Sequence, residues 1–224
     1  MRIVIYGNGA MARVLHSYVR HRMDVVGFTV DDACIAAGVT TLCGLPLVPF
    51  SRAQEVFDPA VCRMIVAVGF IEMNELRERK HEEARAKGYS FATYVHESVL
   101  IHDDVTIAED CIILDHVSVH PGSHIGQGTF ISSNVNIGHD CSIGPANWIC
   151  AGVSIAGGTR LGPGCFLGVN AAVGHGVRIG ARNFIAASTL VNRDTADNQV
   201  YISGAGELFR LPSKAFLKFS RILG

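Results

Sequence analysis

Residues 131–168 read ISSNVNIGHDCSIGPANWICAGVSIAGGTRLGPGCFLG, and a branched aliphatic side chain returns at every sixth position: Ile131, Ile137, Ile143, Ile149, Ile155, Leu161, Leu167. The step extends outward without a miss. On one side it reaches Ile125, Val119, Ile113, Ile107, Ile101 and Val95; on the other, Val173, Ile179, Ile185 and Val191. Glycine follows the aliphatic at 126, 138, 144, 162, 168 and 180. Two residues before it the side chain is small or β-branched, as at Val117, Val135, Cys141, Val153, Thr159, Cys165, Ala171 and Val177. A hexapeptide period of this kind marks a parallel β-helix. Each hexad supplies one short strand and one tight corner, with the aliphatic pointing inward. Three hexads close a triangular coil, and coils stack at roughly 4.8 Å. The glycines let the backbone turn or let a neighbouring coil approach closely.

The chain before the hexads has another texture. Arg2 to Tyr6 reads as a buried strand, followed by Gly7-Asn8-Gly9-Ala10-Met11-Ala12 and a helical stretch to Arg20. Asp24 to Val30 reads as a second strand closing on Asp31-Asp32, and Met64 to Val68 as a third closing on Gly69. Asn74 to Lys87 is a charged helix. This alternation predicts a small parallel sheet with helices. The loop Gly7-x-Gly9-x-x-Ala12, after a strand and before a helix, is a phosphate-binding signal. Residues 1–90 are too few for both halves of a dinucleotide fold, so the expectation is a half-Rossmann-like unit for one nucleotide. A tight turn with no ligand is the plainer alternative. The expected organisation is an α/β domain over 1–90, a β-helix over 91–205 and a tail over 206–224.

Composition narrows the function. The net charge is −1 and 49% of residues are apolar, which gives no electrostatic case for nucleic acid. No apolar run is long enough to span a membrane, and Met1 to Tyr6 reads as a strand, not a signal peptide. The seven cysteines have neither disulfide nor zinc spacing. Cys111, Cys141 and Cys165 occupy the small slot of the hexad, and a reduced, cytoplasmic protein is expected. In the tail, Arg210, Lys214, Lys218 and Arg221 recur at helical spacing, with Phe209, Phe216, Phe219 and Ile222 on another side. That pattern reads as an end cap or subunit contact, or alternatively as a membrane-surface helix.

The hexads, with a β/α domain carrying the glycine loop, Asp31-Asp32, Ala67-Val68-Gly69 and the segment Gly138-His139-Asp140-Cys141-Ser142-Ile143-Gly144, resemble a bacterial family. It is that of sialic acid O-acetyltransferases and nucleotide-linked amino-sugar N-acetyltransferases. The resemblance covers about residues 1–205 and implies a left-handed β-helix, a homotrimer and acetyl-CoA as acyl donor. It makes His139 the general base and Asp140 the acid beside it. It puts the Gly157 N–H against the thioester carbonyl, with further acetyl-CoA contacts at Trp148, Val169 and Ala187. Acceptor contacts match Gly9, Ala10, Met11, Asp31, Asp32 and Gly69. Relatives acting on amino sugars often have histidine where Trp148 stands.

The implied reaction is direct N-acetylation of a nucleotide-linked amino sugar that extends from the N-terminal domain toward His139. The alternatives are O-acetylation of a sugar or sialic acid, a non-catalytic nucleotide-binding trimer, and a zinc carbonic-anhydrase-like protein. Column arithmetic stacks His102 on His120. It sets His139 and His175 two coils apart, roughly 10 Å, too far to share an ion that sits about 2.0–2.1 Å from each ligand. His116, His120 and His124 read equally well as solvated corner residues, and no metal is expected.

Overall fold

The computed structural model describes residues 1–220. Its first part contains β1 (Arg2–Tyr6), α1 (Ala10–Val19), β2 (Asp24–Val30), β3 (Thr41–Leu42), β4 (Leu45–Pro49), α2 (Ala53–Val56), β5 (Cys62–Val66), α3 (Glu75–Ala86) and β6 (Ser90–Phe91). The sheet order is β3-β4-β2-β1-β5-β6, parallel except for the β3–β4 hairpin. That hairpin turns through Cys43 and Gly44, both at positive φ, as a tight two-residue turn between right-twisted strands requires. α1 buries Ala12, Leu15, His16 and Val19, a stripe at helical spacing, against the sheet. β1 is the point where the strand order reverses, and a crevice opens beyond the carboxyl ends of such strands. β6 pairs with β5, so Phe91 still belongs to this sheet.

From Tyr94 to Tyr201 the chain winds through three parallel sheets, which form the faces of a prism. Each strand pairs with the strand one coil on, as Ile113 does with Ile131 and Ile137 with Ile155. The inward aliphatics form one continuous core, fully buried from Ile113 to Ile155 in all but trace. Burying each is worth roughly 1.5–3 kcal/mol, so the stack is the main source of stability. The two roles open to the glycines now separate. A Cβ on Gly138 would lie 2.5 Å from the Gly157 nitrogen of the next coil, so glycine after the aliphatic serves close approach. The turn itself is made two residues later, at a positive-φ position held by Gly158, Gly164, Asn170 or Asp140.

Numbered in chain order, the first face starts at Tyr94–Val95, the second at Leu100–Ile101 and the third at Thr106–Ile107, and the α/β region covers the first. That face presents an aromatic ladder: Phe130 stacks on Trp148 at 4.1 Å and Phe166 on Phe184 at 4.6 Å between ring centroids. Phe130, Trp148 and Phe166 share one buried cluster with Ala12, Leu15 and Ile5. α3 lies along one edge of this face. Arg77 donates to the carbonyls of Gly128, Ala146 and Asn147 on successive coils, and sits over the Trp148 ring. Burial pushes its guanidinium down to about 10, against the pull of Asp110. Asn74 reaches the Gly164 and Cys165 carbonyls, and His81 pairs with Asp110. At the opposite edge of the face the Tyr18 hydroxyl donates to Asp115 (2.6 Å).

α4 (Ser213–Ser220) ends the described chain. Residues 202–218 are largely exposed, so within one chain they do not fold over the last coil as an end cap. Arg221, Ile222 and the Phe219 side chain, part of the expected amphipathic pattern, lie outside the described residues.

Candidate active site

His139 and Asp140 form the corner between the second and third prism faces, between the strands Asn136–Ile137 and Ser142–Ile143. Asp140 takes the left-handed turn position at φ 55°. Its carboxylate Oδ2 lies 2.7 Å from His139 Nδ1. With Nδ1–H donated there, the ring's lone pair is at Nε2, on the side facing Gly157. A Cβ built on Gly157 would stand 2.5 Å from that Nε2, so the imidazole occupies space that only glycine leaves open. Both side chains of the pair are more than half exposed. Gly157 is buried beneath the ring, and its N–H has no partner in the described chain. An unpaired, buried N–H is uncommon and asks for an acceptor.

The expected 10 Å between His139 and His175 does not hold for the rings, whose centroids are 6.1 Å apart. The two side chains lean toward each other over Gly157 and Gly158, neither of which carries a Cβ to prop them apart. His102 and His120 do stack, also at 6.1 Å. Among the described residues, no three His, Cys, Asp or Glu side chains come close enough to hold a metal ion. Cys141, beside the pair, is buried, and burial raises its thiol above the usual range.

A second feature opens at the carboxyl ends of β1, β2 and β5. It is a cleft of about 280 Å³ lined in part by Gly9, Ala10, Met11, Asp31, Gly69 and Lys80. Gly9 is the N-cap of α1, so the first-turn N–H groups face this space. Gly7, at φ 130°, lies where a Cβ would come 3.0 Å from the Ala67 carbonyl. Asp31 accepts from the Tyr6 hydroxyl (2.7 Å) and pairs with Lys80 (2.8 Å). Burial alone would raise the Asp31 carboxyl, but hydrogen bonds from Lys80 and Tyr6 outweigh it and hold it below the usual range. Burial and the adjacent Asp31 push the Tyr6 hydroxyl well above its ordinary value.

Of the sequence-derived residues, the structure brings His139, Asp140 and Gly157 together, and gathers Gly9, Ala10, Met11, Asp31 and Gly69 in the cleft. Asp32 lies outside the cleft lining, with its carboxylate bonded to the Ser51 amide and hydroxyl (3.1 and 2.6 Å). Trp148 is 8% exposed, held between Phe130, Phe70 and Arg77, so a cofactor contact there would need Phe70 to move. Val169 and Ala187 share one column as expected, linked through the Ser188 amide, but on the edge between the first and second faces. They and His139 therefore stand on different edges of the prism. Sequence reading missed Lys80 and Tyr6 in the cleft.

Residues 158–193 match the family described as bacterial transferase hexapeptide (six repeats). The structure is similar to PerB from Caulobacter crescentus in complex with CoA and GDP-perosamine, with a TM-score of 0.79 and 29% identity over 89% of this chain and 93% of that one. A His→Asn mutant of perosamine N-acetyltransferase from the same organism, also with CoA and GDP-perosamine, gives 0.80 and 28%, over 89% and 92%. The chain is an acyltransferase that carries hexapeptide repeats. The acetyltransferase domain of PglB from Neisseria gonorrhoeae FA1090, with acetyl coenzyme A, shares the acyltransferase's fold at a TM-score of 0.78 and 19% identity, over 89% and 94%. No curated protein matches the acyltransferase by sequence. No helix among its described residues is long and apolar enough to cross a membrane.

Proposed function

We propose that the protein transfers the acetyl group of acetyl-CoA directly to the amino group of a nucleotide-linked amino sugar, with His139 as general base. The observation that carries this is the His139 imidazole, oriented by Asp140 through Nδ1 and presenting Nε2 beside the unpaired Gly157 N–H. A nucleophilic amine must lose a proton as it attacks, and imidazole titrates near neutral pH. Asp140 orients the ring and offsets the charge it gains. The Gly157 N–H offsets negative charge growing on the thioester oxygen. The likeness at 28–29% identity to proteins holding CoA and GDP-perosamine supports the donor and the acceptor class. Gly9, Ala10 and Met11 would take the diphosphate at the N-terminus of α1, and Asp31 and Gly69 the nucleoside.

Geometry adds an element absent from the sequence reading. The N-terminal region covers the first face, whereas His139 occupies the vertex opposite that face. A sugar held in one chain's cleft therefore meets the His139 of a neighbouring chain. The edge carrying Val169 and Ala187 would then join a neighbour's His139–Gly157 edge in holding one CoA between subunits. A homotrimer, with three such junctions, satisfies both demands.

The test is a panel of UDP-, dTDP- and GDP-linked amino sugars set against free sialic acid, with acetyl-CoA. Turnover is expected with a nucleotide-linked amino sugar and is reduced by Asp31→Ala. Turnover with the free sugar alone, indifferent to Asp31, would overturn the acceptor assignment.

A further inference from the structure

The prism edge that carries His139 holds a second imidazole which the reaction above does not use. His175 lies two coils on, exposed, with its ring centroid 6.1 Å from that of His139. It is not a packing residue. It tips back along the edge until its Cε1 is 3.8 Å from where a Gly158 Cβ would be. The gap between the two rings is floored by Gly157 and Gly158, so a small group bonded to the Gly157 N–H is within reach of both. The His139–Asp140 pair flanks His175 on one side, and register puts Arg193 one coil on at the other.

Resting on the acetyl-transfer reading, we infer that His175 is the acid that receives the leaving sulfur of CoA. With the carbonyl oxygen on the Gly157 N–H and the amine at His139, the methyl group and the thioester sulfur take the two remaining positions, and the sulfur is the one tied to the CoA arm. The levels of Val169 and Ala187, two-thirds of a coil and one and two-thirds coils beyond Gly157, bracket that of His175, so a CoA arm that reaches both passes beside it. In the step itself, the acceptor nitrogen forms its bond to the carbonyl carbon while its proton passes to His139 Nε2. The C–S bond then breaks, its electron pair leaves with sulfur, and the sulfur takes a proton from the His175 imidazolium. Proton exchange with solvent restores both rings. Dividing base and acid between two imidazoles removes the need for one ring to turn over inside a single event.

His175→Gln should lower kcat by about 10–10²-fold, at the low end of a positioned acid's contribution, with KM for acetyl-CoA and the melting temperature little changed. Independently of any acceptor, CoA bound to the wild type should show its thiolate absorbance at a lower pH than CoA bound to His175→Gln. That titration distinguishes two failures. If CoA binds both proteins and its thiol titrates alike, the role of His175 is overturned and the donor reading stands. If CoA binds neither protein, the donor reading falls and takes this inference with it.

Discussion

Gly157 lies under the His139 ring, and that one absent side chain decides how the site is built. A methyl there would sit 2.5 Å from His139 Nε2, closer than any packed pair tolerates, so the ring would have to swing off its axis. Gly157→Ala is therefore expected to fold, since its positive-φ neighbour Gly158 is untouched, but to lose about 10²-fold in kcat, the cost of misplacing a catalytic group by about 1 Å. Wild-type kcat in that variant would remove the argument that glycine makes room for the base. At this scale the sequence was legible where the partners are chain neighbours. Asp140 follows His139, so the pair could be read directly, and Gly157 followed from one coil of register. The approach of His175 was not legible. Register reports Cα spacing, whereas the two rings lean together across glycines, which no column count shows. Nor does adjacency show direction: Asp32 follows Asp31 in sequence, yet it bonds Ser51.

Among the elements, α3 shows what a charge pattern conceals. Its sequence reads as a charged helix, yet Arg77, Lys80, His81 and Ala84 are buried. Their spacing is that of an ordinary buried stripe, but only Ala84 joins an apolar cluster, while Arg77 faces corner carbonyls, Lys80 faces Asp31 and His81 faces Asp110. Hydrophobic periodicity carries no signal for such a face. The hexads were legible for the converse reason, since every inward position is aliphatic and the period is local. Lys80 also holds Asp31 in its ionised form, with Glu83 as its second partner. The Asp31 carboxyl is lowered in the fold, so its contribution is present above the unfolded value of about 3.9 and is lost as pH falls through the lower, folded value. Removing the cation in Lys80→Met raises that folded value, so the contribution shrinks and its loss is complete at a higher pH. Acid unfolding followed by circular dichroism should show the variant's midpoint displaced upward. A coincident midpoint would mean that Lys80 does not tune Asp31.

For the whole molecule, the decisive relation is between the covered face and the His139 vertex. Hexads and glycine loop could each be read, but not which prism face the N-terminal region would cover, because that depends on the aromatic ladder and the α3 edge acting together. The placement predicts complementation. His139→Ala and a cleft variant such as Asp31→Ala, each poorly active alone, should recover activity when dissociated and reassembled together, since some junctions then pair an intact cleft with an intact base. No recovery in verified mixed oligomers would return the reaction to a single chain. The claim beneath all of this is that His139 drives acetyl transfer from CoA to a nucleotide-linked amino sugar. Its most direct test is the rate of acceptor-dependent CoA thiol release by wild type and by folded His139→Ala at saturating acetyl-CoA. A fall of about 10²–10⁴-fold in kcat is expected for the variant; equal rates in the two proteins, or no acceptor-dependent release by the wild type with any nucleotide-linked amino sugar, would rule that role out.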